Sequence, residues 1–252
     1  MPLPQWVQSL HLSTWQYAVP VLFGPPPPLP PGQKVETGTC AVVEHGDYRY
    51  ALSAAHVFLA ALKAVQSDAK TDVVIGPLHL SLTPESVRYV DEERIDVATV
   101  PLTKNEVARI EAAGYRVFRP AGWPPPTVVE GDGILMAGYP GAWRRHVSAS
   151  EHDFGATTLL LIVKSVHDDE FIAHRDPAFS DPVRIDLEDV PPLAVGGCSG
   201  GPVFLVRQEL VLIPRLAGVV KEGLSPFGGE DILLRFARLD VTLNEDGTVR
   251  AP

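Results

Sequence analysis

The sequence predicts an all-β protein, a barrel or sandwich of short strands, and three observations carry that expectation. Proline fills 25 of 252 positions, twice the ordinary share of about 5%; each ring fixes φ and removes an N–H donor, which disfavours long helices. Short apolar runs bounded by turn residues recur along the chain, without the regular alternation of strand and helix that marks a parallel βα sheet. The apolar fraction of 45% and charged fraction of 21% are those of folded soluble proteins. At this length the chain can bury a sizeable core as one large domain or two small ones.

Taken in order, a strand is expected near Ala18 to Phe23. Gly24-Pro25-Pro26-Pro27-Pro28-Leu29-Pro30-Pro31-Gly32 then reads as a stiff, extended connector. The runs Gly38 to Glu44 and Tyr48 to Ser53, separated by His45-Gly46-Asp47, form a hairpin signature. Ala54 to Gln66 is rich in good helix formers and free of Gly and Pro, so a short helix is expected with His56 at its start. Apolar runs follow at Asp72 to Ile75, Ser86 to Val90 and Asp96 to Leu102, and then a second helical patch at Asn105 to Ala113. Gly122-Trp123-Pro124-Pro125-Pro126 breaks the chain near its midpoint and is the candidate boundary between two halves, residues 1–120 and 121–252. In the second half, strands are expected at Gly133 to Tyr139, Thr157 to Ser165, Glu170 to His174, Val183 to Leu187, Pro202 to Val206, Leu216 to Val220 and Ile232 to Leu239. The halves show no sequence repeat.

Charge and cysteine content exclude some functions. A formal net charge of −10 disfavours nucleic acid and anionic membranes, which recruit proteins through clustered Lys and Arg; the pair Arg144-Arg145 is too small to reverse it. Two cysteines, Cys40 and Cys198, make no disulfide framework. No signal peptide or membrane span is read in the N-terminal stretch, and a cytoplasmic protein is expected. His167-Asp168-Asp169-Glu170 with His174 is the one cluster of His and carboxylates, but it lacks metal-site spacing and reads as a polar hairpin turn. No metal and no cofactor are expected.

The densest chemical signal is Val195-Gly196-Gly197-Cys198-Ser199-Gly200-Gly201-Pro202-Val203. Glycines around a serine permit positive φ and let a carbonyl group approach main-chain N–H groups. Taken alone, the segment also fits the G-x-S-x-G elbow of α/β-hydrolases, in which the acid and then the histidine follow the serine. All eight histidines precede Ser199, so that arrangement is not available. What remains is the order His, Asp, Ser.

At these residues the chain resembles the trypsin-like peptidase family, and more its bacterial members with few disulfides. Leu52-Ser53-Ala54-Ala55-His56-Val57 looks like the family's (V/L)-(T/S)-A-A-H segment, and Gly197-Cys198-Ser199-Gly200-Gly201-Pro202 like its G-D-S-G-G-P. Between them, Arg94-Ile95-Asp96-Val97-Ala98-Thr99-Val100-Pro101-Leu102 resembles the strand that carries the triad aspartate. Weaker echoes are Gly138-Tyr139-Pro140-Gly141, Gly218-Val219-Val220 and Phe236-Ala237-Arg238-Leu239. The resemblance spans roughly residues 36 to 240. It implies two packed antiparallel β-barrels of chymotrypsin-like fold, with the active site in the cleft between them. It also implies Ser199 as nucleophile, His56 as general base, Asp96 orienting the histidine, and the N–H groups of Gly197 and Ser199 as the oxyanion hole.

Cys198 departs from the family pattern, which most often places an aspartate there to pair with a newly cut N-terminus. No activation by N-terminal clipping is therefore expected, and the oxyanion loop must be ordered by other contacts, by substrate or by an activating protein partner. Cys40 lies on the strand that runs near this loop in relatives, so a Cys40–Cys198 contact or redox disulfide is one arrangement the resemblance allows. The resemblance implies that Leu193, six residues before the serine, stands where relatives often form the base of the P1 pocket; without a carboxylate there, a tryptic preference for Arg or Lys is not expected and an apolar or small residue is. Val220-Lys221-Glu222-Gly223 aligns with the strand edge that pairs with a peptide or protein substrate; Lys221 and Glu222 are unusual there and either narrow the cleft or are solvated.

Overall fold

In the computed structural model the described residues are 5–26, 35–91, 93–148, 151–175, 183–185, 195–206, 215–223 and 233–250, with backbone alone for 5–8, 144–148, 151–154 and 183–185. The elements are, in chain order, α1 (Gln5–Thr14), β1 (Ala18–Gly24), β2 (Glu36–His45), β3 (Tyr48–Ser53), α2 (Ala55–Ser67), β4 (Asp72–Ile75), β5 (Leu78–His79), β6 (Arg88–Tyr89), β7 (Ala98–Pro101) and α3 (Lys104–Ala112). They continue with β8 (Gly133–Gly138), β9 (Arg144–Ser148), β10 (Glu151–Phe154), β11 (Ala156–Val166), β12 (Glu170–Arg175), β13 (Val183–Ile185), β14 (Pro202–Val206), β15 (Arg215–Gly223), β16 (Leu233–Arg238) and α4 (Leu239–Thr242).

Two seven-stranded antiparallel sheets organise these strands, with β9 and β10 paired apart as a two-stranded hairpin. The first runs β5-β4-β1-β2-β3-β7-β6 and curls as an open half-barrel. In the second, the order β12-β16-β15-β14-β8-β11 is closed by a β11–β12 pairing into a six-stranded barrel, with β13 added beside β11. Closure removes most of the exposed edges that a flat sheet would present. The all-β, two-barrel architecture expected from the sequence is what the chain adopts.

Local chemistry explains the elements that position the site. Gly46 and Asp47 form a two-residue loop between the paired residues His45 and Tyr48; Gly46 takes φ +58, as the first position of a type II′ hairpin requires. Helix α2 buries Ala55, Val57, Phe58, Ala61 and Leu62, one stripe at helical spacing that faces the first core. Helix α3 begins with a capping box between Thr103 and Glu106. Each sheet encloses its own apolar core. A third cluster, including Tyr50, Leu52, Ile95, Phe118, Phe204, Val219 and Leu243, packs between them. Phe118 and Phe204, from opposite sides of that seam, lie 5.7 Å apart at the ring centroids.

Two segments cross the seam. Helix α1, which no sequence pattern predicted, packs on β8 and β11 of the second sheet through Leu10, His11 and Thr14. In the other direction, residues 243–250 return to the first sheet. There Thr99 Oγ1 donates to the Gly247 carbonyl and an Arg88 guanidinium N–H donates to the Asp246 carbonyl at 3.0 Å.

His11 makes the docking of α1 sensitive to acid. It is 1% exposed, with Nδ1 2.6 Å from Thr158 Oγ1 and Nε2 buried without a partner among the described residues. Burial disfavours the imidazolium and lowers its pKa from 6.5 to about 4. The unfolded chain therefore binds this proton more readily. The contribution is complete above pH 6.5 and is lost as pH falls towards 4, an effect of about 3 kcal/mol. Urea midpoints measured between pH 7 and 4 should fall less steeply for His11→Leu than for the natural chain; parallel curves would count against it.

Candidate active site

His56 is the second residue of α2, and its position follows from how that helix starts. The residue before the helix, Ala54, offers no side-chain cap, so the first N–H groups need an acceptor from elsewhere. Asp96 supplies it from the turn before β7, on the same side of the cleft: Oδ1 accepts the His56 backbone N–H at 3.0 Å. The same carboxylate reaches His56 Nδ1, at 2.9 Å from Oδ2 and 3.1 Å from Oδ1. An ionised carboxylate only accepts, so Nδ1 carries the proton and Nε2 is left with the lone pair a base requires.

Asp96 is 6% exposed and sits at φ +49, a left-handed conformation that Asp tolerates better than most residues. Such a conformation persists only where neighbours over-determine it. Here the Asp91 carbonyl accepts the N–H groups of both Ile95 and Asp96, at 2.9 and 3.1 Å.

The serine segment is folded by glycines at the positions that need them. The Cys198 N–H donates to the Val195 carbonyl and the Gly201 N–H to the Cys198 carbonyl, both at 2.9 Å. The third residue of each of these turns is a glycine with positive φ, Gly197 at +94 and Gly200 at +82, as in type II turns. Gly200 has a second constraint: a Cβ there would lie 1.9 Å from Ser53 Oγ and 2.2 Å from the Thr39 carbonyl oxygen. This near contact presses the residue after Ser199 onto Ser53–Ala54, immediately before the helix that carries His56.

Thr39, which sequence reasoning did not single out, is the hub that orders this loop. Its hydroxyl donates to the Gly197 carbonyl at 2.8 Å and accepts the Tyr139 N–H at 3.1 Å. Its own N–H donates to the Ser199 carbonyl at 2.9 Å, and its carbonyl accepts from Ser53 Oγ at 2.7 Å. The Gly196 carbonyl is held by the Gly141 N–H at 2.7 Å. Because the C=O and N–H of a trans peptide point oppositely, that bond aims the Gly197 N–H away from Gly141. Among the described residues, neither the Gly197 nor the Ser199 N–H meets an acceptor.

The remaining sequence candidates are placed as follows. Ser199 is half-buried and its hydroxyl donates to the Lys221 carbonyl at 3.2 Å. Val220 exchanges backbone bonds with Gly200 and Gly201 at 2.8 and 3.0 Å, and its side chain lies in the second core. Beyond Val219, the last β15 residue paired with β14, Lys221, Glu222 and Gly223 continue along the same strand. Leu193 and the proline connector from Pro27 onward lie outside the described residues.

The Lys221 side chain neither narrows the cleft nor meets solvent. It is 4% exposed, and Nζ donates to the Arg94 carbonyl at 2.6 Å and to Glu170 at 3.0 Å. Burial works to raise the Glu170 carboxyl, but hydrogen bonds from Arg235 and Lys221 outweigh it and hold it below the usual carboxylate range. Residues 167–170 form the tight turn between β11 and β12, with the His167 N–H on the Glu170 carbonyl at 2.8 Å. Among the described residues no group of His, Cys, Asp and Glu is arranged to hold a metal.

Cys40 and Cys198 are both free and fully buried, so the disulfide that the resemblance allows is not formed. Burial pushes the Cys198 thiol up to about 12 and raises Cys40 further. Both thiols stay protonated near neutrality and behave as small apolar groups. No helix among the described residues is long and apolar enough to cross a membrane.

No protein-family profile matches the chain, and no curated protein matches it in sequence. Among solved structures it is similar to a thermostable serine protease from an extremophilic microorganism, at 13% identity over 89% of this chain and 92% of that one, with a TM-score of 0.48. It is also similar to the protease Anisep from Arthrobacter nicotinovorans, at 12% identity over 91% and 92%, with a TM-score of 0.47. A mutant of human heparin binding protein aligns at 14% identity over 90% and 88%, with a TM-score of 0.47. The likeness in each case is one of fold.

Proposed function

We propose that the chain is a serine endopeptidase that cleaves peptide bonds through an acyl-enzyme, with Ser199, His56 and Asp96 as the catalytic triad. The observation that carries this reading is the Asp96 carboxylate on His56 Nδ1 at 2.9 Å, in a cleft whose other wall is the serine loop. A serine hydroxyl is a weak nucleophile until a base removes its proton. As Ser199 Oγ attacks the carbonyl carbon, its proton passes to His56 Nε2 and the carbonyl electrons move onto oxygen. The N–H groups of Gly197 and Ser199 are suited to receive that oxyanion. His56 then gives its proton to the leaving amine, the C–N bond breaks, and water repeats the sequence on the ester. Asp96 stabilises the imidazolium throughout.

Substrate binding is assigned to β15. An extended peptide adds to the strand at Lys221, Glu222 and Gly223, beyond the residues paired with β14, by main-chain hydrogen bonds. A cleavage preference other than Arg or Lys follows from Leu193. Ordering of the oxyanion loop by Thr39 and Gly141 supports activity without a protein partner. No cofactor enters the reaction, and the cytoplasmic setting is proposed on a chain with only two cysteines, both free.

A second reading is a latent member of this fold that serves as a protein-binding module. The observation favouring it is the Ser199 hydroxyl, which is spent on the Lys221 carbonyl. A fluorophosphonate probe separates the two. On the peptidase reading the natural chain is labelled at Ser199 and Ser199→Ala is not; folded protein that takes no label between pH 6 and 9 leaves the binding module.

A further inference from the structure

We infer that the Lys221 side chain is a positioning residue, an ammonium strut that holds the Asp96 loop against the strand beside Ser199. The inference rests on the peptidase reading above and extends it to a residue outside the triad.

Lysine is almost never fully buried unless paired, and removing an ammonium from water costs several kcal/mol before its partners compensate. Replacing a buried ion pair by apolar groups of similar volume is often neutral or stabilising, so stability alone is a weak reason for a lysine here. What this lysine supplies is geometry. Its Nζ donates at 2.6 Å to the Arg94 carbonyl, two residues before Asp96. A cation on a carbonyl makes one of the stronger hydrogen bonds available to a protein.

The partners of the strut are themselves fixed. Glu170, at 3.0 Å from Nζ, is gripped by the Arg235 guanidinium at 2.8 Å to each oxygen, and Arg235 also holds Glu222 at 2.7 Å. The Arg94 side chain crosses the other way to Asp169, at 2.9 Å. Lys221 sits where the register between β15 and β16 shifts, between Val220 and Glu222; such a bulge re-aims a side chain. Its main-chain carbonyl meanwhile accepts the Ser199 hydroxyl. One residue thus touches the loop of the acid with its side chain and the nucleophile with its backbone.

The test compares the full chain with Lys221→Met and Lys221→Arg. Four quantities are read: kcat and KM on a p-nitrophenyl ester, the rate of fluorophosphonate labelling, and the low-field proton resonance of His56 Nδ1–H on Asp96. Lys221→Met should lose about 10- to 100-fold in kcat and labelling rate, with KM within twofold and the resonance displaced upfield. Lys221→Arg, which keeps a cationic donor, should recover most of the loss. Should the methionine variant fail to fold, Lys221→Gln is read in the same way. A Lys221→Met enzyme within threefold of the natural rate overturns the strut, as does a slow enzyme whose resonance has not moved. A natural chain that takes no label at Ser199 instead overturns the peptidase reading, while the resonance still compares the variants and decides whether Lys221 sets the Asp96–His56 bond.

Discussion

Asp96→Asn should lower kcat about 10⁴-fold while the protein stays folded, which makes it the most informative single-atom change in the molecule. The asparagine oxygen can still accept the His56 backbone N–H, so α2 keeps its cap. The amide nitrogen, however, now faces the ring as a donor. Nδ1 must then become the acceptor and the proton moves to Nε2, where it blocks removal of a proton from Ser199. Steady-state hydrolysis with a urea denaturation curve checks both halves. A variant within tenfold of the natural rate would show that the 2.9 Å contact is structural only.

Thr39→Val should lower kcat about 10²- to 10³-fold, the usual loss when one oxyanion donor is removed, although Thr39 touches no substrate. Valine fills the same volume, and the backbone bonds of Thr39 to Ser199 and Ser53 remain. What disappears is the hydroxyl between the Gly197 carbonyl and the Tyr139 N–H. Each buried group left unpaired costs about 1 to 3 kcal/mol, and the loop can relieve that cost by rotating the peptides beside Gly197. Labelling and turnover should fall together while KM changes little. A variant that is less stable yet as fast would mean that Gly141 alone sets the loop.

The sequence displayed the parts of this site that are local. Gly-rich turns around Ser199, the helix after Ala54 and the His45-Gly46-Asp47 hairpin are all set by neighbours a few residues apart, and the order of His56, Asp96 and Ser199 can be read directly. Contacts made at long range were not legible. Thr39 matters because β2 passes beneath a loop 158 residues away, which no spacing rule encodes. Lys221 looks like a solvated charge on a strand, and only the fold shows that Arg94 and Glu170 enclose it. Helix α1 has little apolar pattern of its own; it gains its stability by burying Leu10, His11 and Thr14 against the second sheet. The Cys40–Cys198 disulfide fails for a related reason, since both thiols are buried as separate apolar groups.

The two segments that cross the seam have a mechanical consequence. Residues 5–14 are fastened to the sheet formed by the later part of the chain, and residues 243–250 to the sheet formed by the earlier part. Opening the cleft between the sheets therefore pulls on two clasps set in opposite directions, and neither sheet can swing without stretching one of them. Cutting the chain at its proline-rich midpoint would not yield two self-sufficient halves: each would carry a clasp with nothing to close on, and each would bare the apolar seam that the other had covered. A cleft braced in this way holds its two walls together while both cysteines stay free.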